Sequence, residues 1–241
     1  MLRLLVSAFA GMLLLCAPAL AQEKGAVRAG FSAESLRGQK IVLLRPNVWV
    51  GSQSTGGMPE PNGDWTEQAR GLLDAELKMH LAGLDNVIVP EPELSGDDAL
   101  MLSEHKALFG SVAGAVVTYQ FFKGNRLPTR KNKAFDWTLG PGTKRISELS
   151  GARYGLFILT HDEYGSFGRK AFQLLVGGLV GVGVKSGVHR GYAGLVDLDS
   201  GELMWLNADE AMGGDVRESD GMKKCVAQLL EDLPIAGAGA K

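Results

Sequence analysis

The chain has 241 residues, 45% of them hydrophobic and 22% charged, with a formal net charge of -2 and two cysteines. This composition excludes a disordered tail, a coiled coil and a disulfide scaffold, and it gives no global attraction to nucleic acid. Its 33 glycines follow no collagen-like period, so they mark turns in one large or two small packed domains.

The first 21 residues carry one Arg at position 3, an apolar run from Leu4 to Leu15, and Ala19-Leu20-Ala21 ahead of Gln22. A short apolar run before a small-x-small triplet is the pattern that signal peptidase cuts. The expected cleavage is between Ala21 and Gln22, which delivers the mature chain to the periplasm. The run is too short to span a bilayer, which needs about 20 apolar residues. Cys16 follows Leu15 rather than the small residue that acylation requires, and it leaves with the leader. Cys225 is then the single thiol, no internal disulfide can form, and the core must hold the fold alone. Beside Val226 and Leu229, Cys225 reads as a small buried hydrophobe on a C-terminal helix.

Residues 22–38 show no clear period and read as a flexible arm, followed by a domain over 39–233 and a flexible tail over 234–241. Lys40 to Val50 is β-branched and apolar, a strand that Pro46 interrupts or confines to an edge. Gly51 to Gly63 is a loop by composition. Asp64 and Glu67 resemble a capping box, and Trp65, Ala69, Leu72, Leu73, Leu77, Leu81 and Leu84 recur at helical spacing. Asn86 to Pro90 is a short second strand. A helix opens at Ser95 to Asp98 with an expected stripe of Met101, His105, Leu108, Val112, Ala115, Val116 and Tyr119, ending near Phe122.

Residues 123–145 hold seven basic side chains against Asp136 alone, interleaved with two aromatics. Arg130, Lys131, Lys133, Phe135 and Trp137 are the candidate partner surface, suited to an envelope protein or an anionic envelope component. In a cytosolic protein that mixture would suggest single-stranded nucleic acid; export argues against it. Residues 85–104 carry acid and no base, so the two stretches are complementary within one chain or between copies, and a homo-oligomer is one consequence.

Ile146 to Leu149 closes a short helix, and Tyr154 to Thr160 reads as a buried central strand. Ala171 to Val184 is apolar and glycine-rich: a buried element packed through its glycines, or a surface for peripheral membrane or partner contact. Gly191–Leu198 and Glu202–Asn207 flank Asp199-Ser200-Gly201, a β-hairpin. A final helix carries Met222, Cys225, Val226, Leu229, Leu230 and Leu233 and stops at Pro234. The order implies an α/β fold, a single domain of two or three layers with a mixed sheet, a C-terminal hairpin and a final helix.

Catalytic motifs fail by one residue each. Tyr164 stands where the nucleophile elbow around Ser166 needs glycine, Val184 where a phosphate loop needs glycine before Lys185, and Ser186 where a dinucleotide fingerprint needs its third glycine. No cofactor is expected. None of His80, His105, His161 and His189 pairs at metal-binding helical spacing, and no metal is expected. His161-Asp162-Glu163, at the expected end of the third strand, with Ser166 and with His189 brought near, is the alternative site for a hydrolase or metal-dependent enzyme.

Gly151-Ala-Arg-Tyr-Gly-Leu-Phe-Ile-Leu-Thr160 together with Gly191-Tyr-Ala-Gly-Leu-Val-Asp-Leu-Asp-Ser-Gly-Glu-Leu-Met-Trp205 resembles exported bacterial α/β domains of the curli-secretion lipoprotein (CsgG-like) and TolB N-terminal type. Leu127-Pro-Thr-Arg with Phe135-Asp-Trp-Thr-Leu-Gly140 is similar to a subset of uncharacterised exported proteobacterial proteins. The resemblance implies envelope assembly or protein interaction rather than catalysis, and it brings no catalytic residues. The chain departs from the lipoprotein in lacking its acylated cysteine and clear barrel hairpins. The leading expectation is a periplasmic, non-enzymatic interaction module; the alternative is the enzyme centred on His161 to Ser166.

Overall fold

The computed structural model describes residues 23–82, 86–122, 125, 127, 134–166 and 187–235. Residues 23–38, expected as a flexible arm, are built into the fold. β1 (Glu23–Val27) pairs antiparallel with residues 205–209, and a short helix, α1 (Ala33–Leu36), follows. Phe31 and Leu36 are buried in the core beside it. An alternation of only five residues is too short to stand out from a linker, and pairing decides it.

Pro46 splits the first apolar run as its missing donor requires, into β2 (Lys40–Leu43) and β3 (Asn47–Gln53). The stretch read as loop returns from Ser54 through β4 (Pro59–Pro61), which pairs antiparallel with β3. α2 (Gly63–Leu81) starts two residues earlier than a cap at Asp64 would place it: its cap is Asn62, whose Oδ1 accepts from Trp65 N at 3.0 Å. β5 (Val87–Pro90) leads to α3 (Gly96–Val116), which runs on into a π-helical turn over Val117–Phe121. The buried stripe of α3 is Leu102, Phe109, Ala113 and Val116, while Leu108 and Tyr119, expected inside, are exposed. The helix is apolar on more than one face, so two stripes a residue apart fit its pattern, and packing against the sheet selects one.

α4 (Lys144–Ser150) ends at Gly151 in the left-handed region, as a C-terminal glycine favours. β6 (Tyr154–Gly165), β7 (Gly187–Asp197), β8 (Leu203–Asp209) and α5 (Ser219–Leu229) complete the chain. The β7–β8 hairpin is the expected one. Its Gly201 has φ 77, and a Cβ there would lie 1.9 Å from the Gly140 carbonyl, so both conformation and space demand glycine.

The eight strands form one mixed sheet in the order β1-β8-β7-β6-β2-β5. β2 and β3 share one edge of β6, facing residues 154–156 and 159–165 respectively, with β5 outside β2 and β4 outside β3. Tyr154, Leu156 and Ile158 of β6 pack with the buried faces of α2 and α5. Phe157 and Leu159 face the opposite way, onto the core of α3 and Ile146 of α4. The result is a three-layer α/β domain whose strand alternation serves two cores. Cys225 is fully buried on α5, and burial raises its thiol.

Candidate binding cleft

The enzymatic alternative requires His161, Asp162, Glu163 and Ser166 to converge. β6 extends through Gly165 rather than ending near Thr160, so successive side chains leave on opposite faces. On one face His161 stacks on Trp49, rings 4.3 Å apart and nearly parallel, and its Nε2 pairs with Glu163 Oε1 at 2.7 Å. Gln53 Nε2 donates to the other carboxylate oxygen at 2.6 Å. Burial works to raise Glu163, but the bonds from His161 and Gln53 outweigh it and leave its carboxyl below the usual range.

On the other face Asp162, with no exposed surface, lies 3.0 Å from His189 Nδ1 on the neighbouring strand. Burial raises this carboxyl, and the His189 bond only partly offsets it. Next to it, the Arg217 guanidinium sits 3.8 Å from the centre of the Tyr164 ring and 4.5 Å from that of Trp65, and grips Asp215 with two bonds. Ser166 is held to β3 through its backbone amide, which donates to Gln53 O. The sheet thus separates two histidine–carboxylate pairs, so His161, Asp162 and Glu163 do not converge on one face. Among the described residues no three His, Cys, Asp or Glu side chains are grouped to hold a metal.

Of the expected partner surface, Arg130, Lys131 and Lys133 lie outside the described residues, as do the cleavage pair Ala21 and Gln22 and the apolar segment 171–184. Phe135 is a core residue rather than a surface one. Trp137 is half-buried and its indole donates to Gln120 Oε1 at 2.7 Å. Its carbonyl accepts from Arg28 and from Leu203 N, so residues 134–140 are stitched to the start of β8. Both aromatics are thus committed to the fold. Arg145 pairs with Asp98 and Glu148, which joins the basic stretch to the acidic one within the chain.

A larger concave surface among the described residues lies elsewhere. A cleft of about 920 Å³ runs between α2, β5 and the end of β2. Its floor is Leu43, Leu44, Leu81, Ile88, Val89 and Pro90, and its rim carries charge. Those charges neutralise one another: Arg70 pairs with Glu67, Lys78 with Asp74, and Arg45 with Glu91 and Glu93. Glu91, itself nearly buried, also takes Lys106 at 2.5 Å and fixes the end of β5. Its lining combines this aliphatic floor with carboxylates and cations that are held in ion pairs, so the surface it presents is chiefly apolar.

Gly71 opens onto this cleft from the middle of α2, with nothing within 4 Å of where a Cβ would stand. A glycine inside a helix costs roughly 0.5–1 kcal/mol relative to alanine. This was the one mark of the cleft in the sequence, an unexplained glycine among the leucines of a helical stripe. The remaining floor residues come from segments that only the fold brings together.

No protein-family model matches the chain, and no curated protein matches it. Solved structures that it is similar to include a PelC dodecamer from Paraburkholderia phytofirmans, at 13% identity and TM-score 0.34 over 88% of this chain and 96% of that one. Others are a DUF4136 family protein from Bacteroides thetaiotaomicron, at 10% identity and TM-score 0.33 over 88% and 95%, and the LpoB C-terminal domain from Salmonella enterica, at 15% identity and TM-score 0.26 over 75% and 84%. At that level of overlap the likenesses assign no activity or partner to this chain. None of the three is a curli-secretion lipoprotein or a TolB domain, so that part of the resemblance gains no support.

Proposed function

We propose that the chain is an exported periplasmic module of the cell envelope, non-enzymatic, which holds a protein partner in the cleft between α2 and β5. Export rests on the reading of residues 1–21. No described helix is long and apolar enough to cross a membrane. The observation that carries the binding reading is the cleft itself, large, floored by aliphatic side chains and rimmed by charges paired within the chain. A rim whose charges are already paired favours a protein segment over an anionic polymer, which would need unpaired cations.

The test is capture from envelope extract by the mature chain, residues 22–241, in three forms: wild type, Gly71→Trp, and the pair Lys131→Ala with Lys133→Ala. A Cβ at position 71 meets nothing within 4 Å, so the indole starts in open space above the cleft, and circular dichroism of the variant checks that the fold is kept. A partner retained by the lysine variant and lost by Gly71→Trp is the expected result. Loss in the lysine variant alone would move the site to the basic loop.

A further inference from the structure

We infer that the sheet face carrying Trp49, His161 and Arg190 is a second binding site, separate from the cleft, which takes an uncharged saccharide. The three residues stand in register on β3, β6 and β7, so their side chains form one row across three neighbouring strands. Glu163 lies two residues beyond His161 on the same face and pairs with it, and Gln53 reaches the same carboxylate from β3. Trp49 leans along its own strand over Gly51, where a Cβ would lie 2.5 Å from the indole Cη2, so the glycine is what gives the ring its place.

Four polar groups on this face are unused. Gln53 is 6% exposed, and while its Nε2 donates to Glu163, its buried Oε1 accepts no bond. A buried acceptor without a donor is costly, and native structures keep few of them. Arg190, half-buried, is the one arginine among the described residues without an ion pair; the other seven each hold a carboxylate. Residues 167–186, which join β6 to β7, contain neither Asp nor Glu, so they supply no acid to it. The Trp49 indole N–H and the second ring nitrogen of His161 also have no partner among the described residues. Donors and acceptors thus lie side by side over two strand spacings, roughly 10 Å. Glu163 is within electrostatic reach of Arg190, so the guanidinium is balanced without being bonded, and a full anion gains little there. A cation would meet Arg190, and an apolar ligand would leave Gln53 Oε1 unsatisfied. A hydroxyl both gives and takes a hydrogen bond, and a ring bearing several of them, with an apolar face for the Trp49–His161 pair, matches what this row leaves open.

The probes are cellotetraose and chitotetraose, both uncharged, and tetragalacturonate, whose rings carry carboxylates. Each is titrated into the isotopically labelled mature chain, with the tryptophan indole resonances as the readout and calorimetry for affinity. The expected result is saturable binding of an uncharged tetrasaccharide that shifts the Trp49 resonance and leaves those of Trp65 and Trp205 in place. Affinity falls about tenfold in Arg190→Ala and in Trp49→Phe and is unchanged in Gly71→Trp. Arg190→Ala removes no ion pair within the described structure, and Trp49→Phe keeps a ring against His161, so both variants retain the fold, which their amide spectra check. Binding of tetragalacturonate alone would overturn the inference in favour of an anion held by Arg190. No binding of any of the three, or binding that Arg190→Ala leaves unchanged, would also overturn it, while extract capture separately decides the cleft.

Discussion

Replacing His189 with alanine leaves the Asp162 carboxylate buried with its hydrogen-bond partner removed. Asp162 has no exposed surface, and its neighbours in charge are His161 and Asp215, with the Cys225 thiol close enough to feel it. Removing one member of a buried pair costs about 3–5 kcal/mol. The His189 side chain is 25% exposed, which places the cost at the lower end, about 3 kcal/mol at pH 7. For a domain of this size that is a fall in Tm of roughly 6–12 °C. The cost depends on pH with a definite sign. Burial raises Asp162 in the folded state, so the folded protein binds its proton more tightly than the unfolded one. Stability therefore falls as pH rises from the unfolded value, about 4, through the folded value. Loss of His189 raises the folded value further and widens that window. Urea unfolding of wild type and His189→Ala at pH 7 and pH 4 should show the deficit shrinking to about 1 kcal/mol at the lower pH. Equal deficits at both pH values would refute the reasoning, as would a loss at pH 7 below about 1 kcal/mol.

Deleting residues 23–38 from the mature chain removes β1 and uncovers the buried sites of Phe31 and Leu36, each worth about 1.5–3 kcal/mol. Chemical unfolding should show a loss of at least about 3 kcal/mol, and an unchanged midpoint would restore the reading of a free arm. Gly194→Ala places a Cβ 2.5 Å from the Phe109 ring, an overpacking that should cost about 1–3 kcal/mol by the same assay. The Arg217 bonds hold the Asp215 carboxyl down to about 2, so its contribution is present above the unfolded value and is lost as pH falls toward 2. Arg217→Ala should flatten that acid limb, losing about 1 kcal/mol at pH 7 once solvent screening is allowed for; an unaltered limb would assign the acid sensitivity elsewhere. Cys225 should react with a thiol reagent only as fast as the protein unfolds, and full labelling of the native state would contradict its burial.

Elements whose cause is local were legible in the sequence. Pro46 broke the first strand, Gly201 closed the hairpin, and the spacing from Met222 placed the final helix and Cys225 within it, although the helix ends at Leu229, and Leu230 and Leu233, expected on it, are buried beyond its end. Where two patterns competed, packing chose: α3 buries Leu102 and Phe109 because that stripe meets Phe157 and Tyr192 across the sheet. His161 to Glu163 looked like one cluster because they adjoin in sequence, and a strand continuing through Gly165 is what sets Asp162 on the face opposite to His161 and Glu163. The cleft was hidden for the opposite reason. Gly71, Ile88 and Arg45 are far apart in the chain, and the charges on its rim looked like ordinary solvated helix charge until the pairs were placed around an apolar floor.

The central claim is that a partner occupies the cleft between α2 and β5. Hydrogen exchange of the mature chain, alone and with the partner captured from envelope extract, tests it most directly. The account predicts new protection at Val87–Pro90 and along the cleft-facing side of α2, while β7 and β8 are unchanged. Protection confined to residues 123–145 or to 51–63, with β5 exchanging as before, would contradict it.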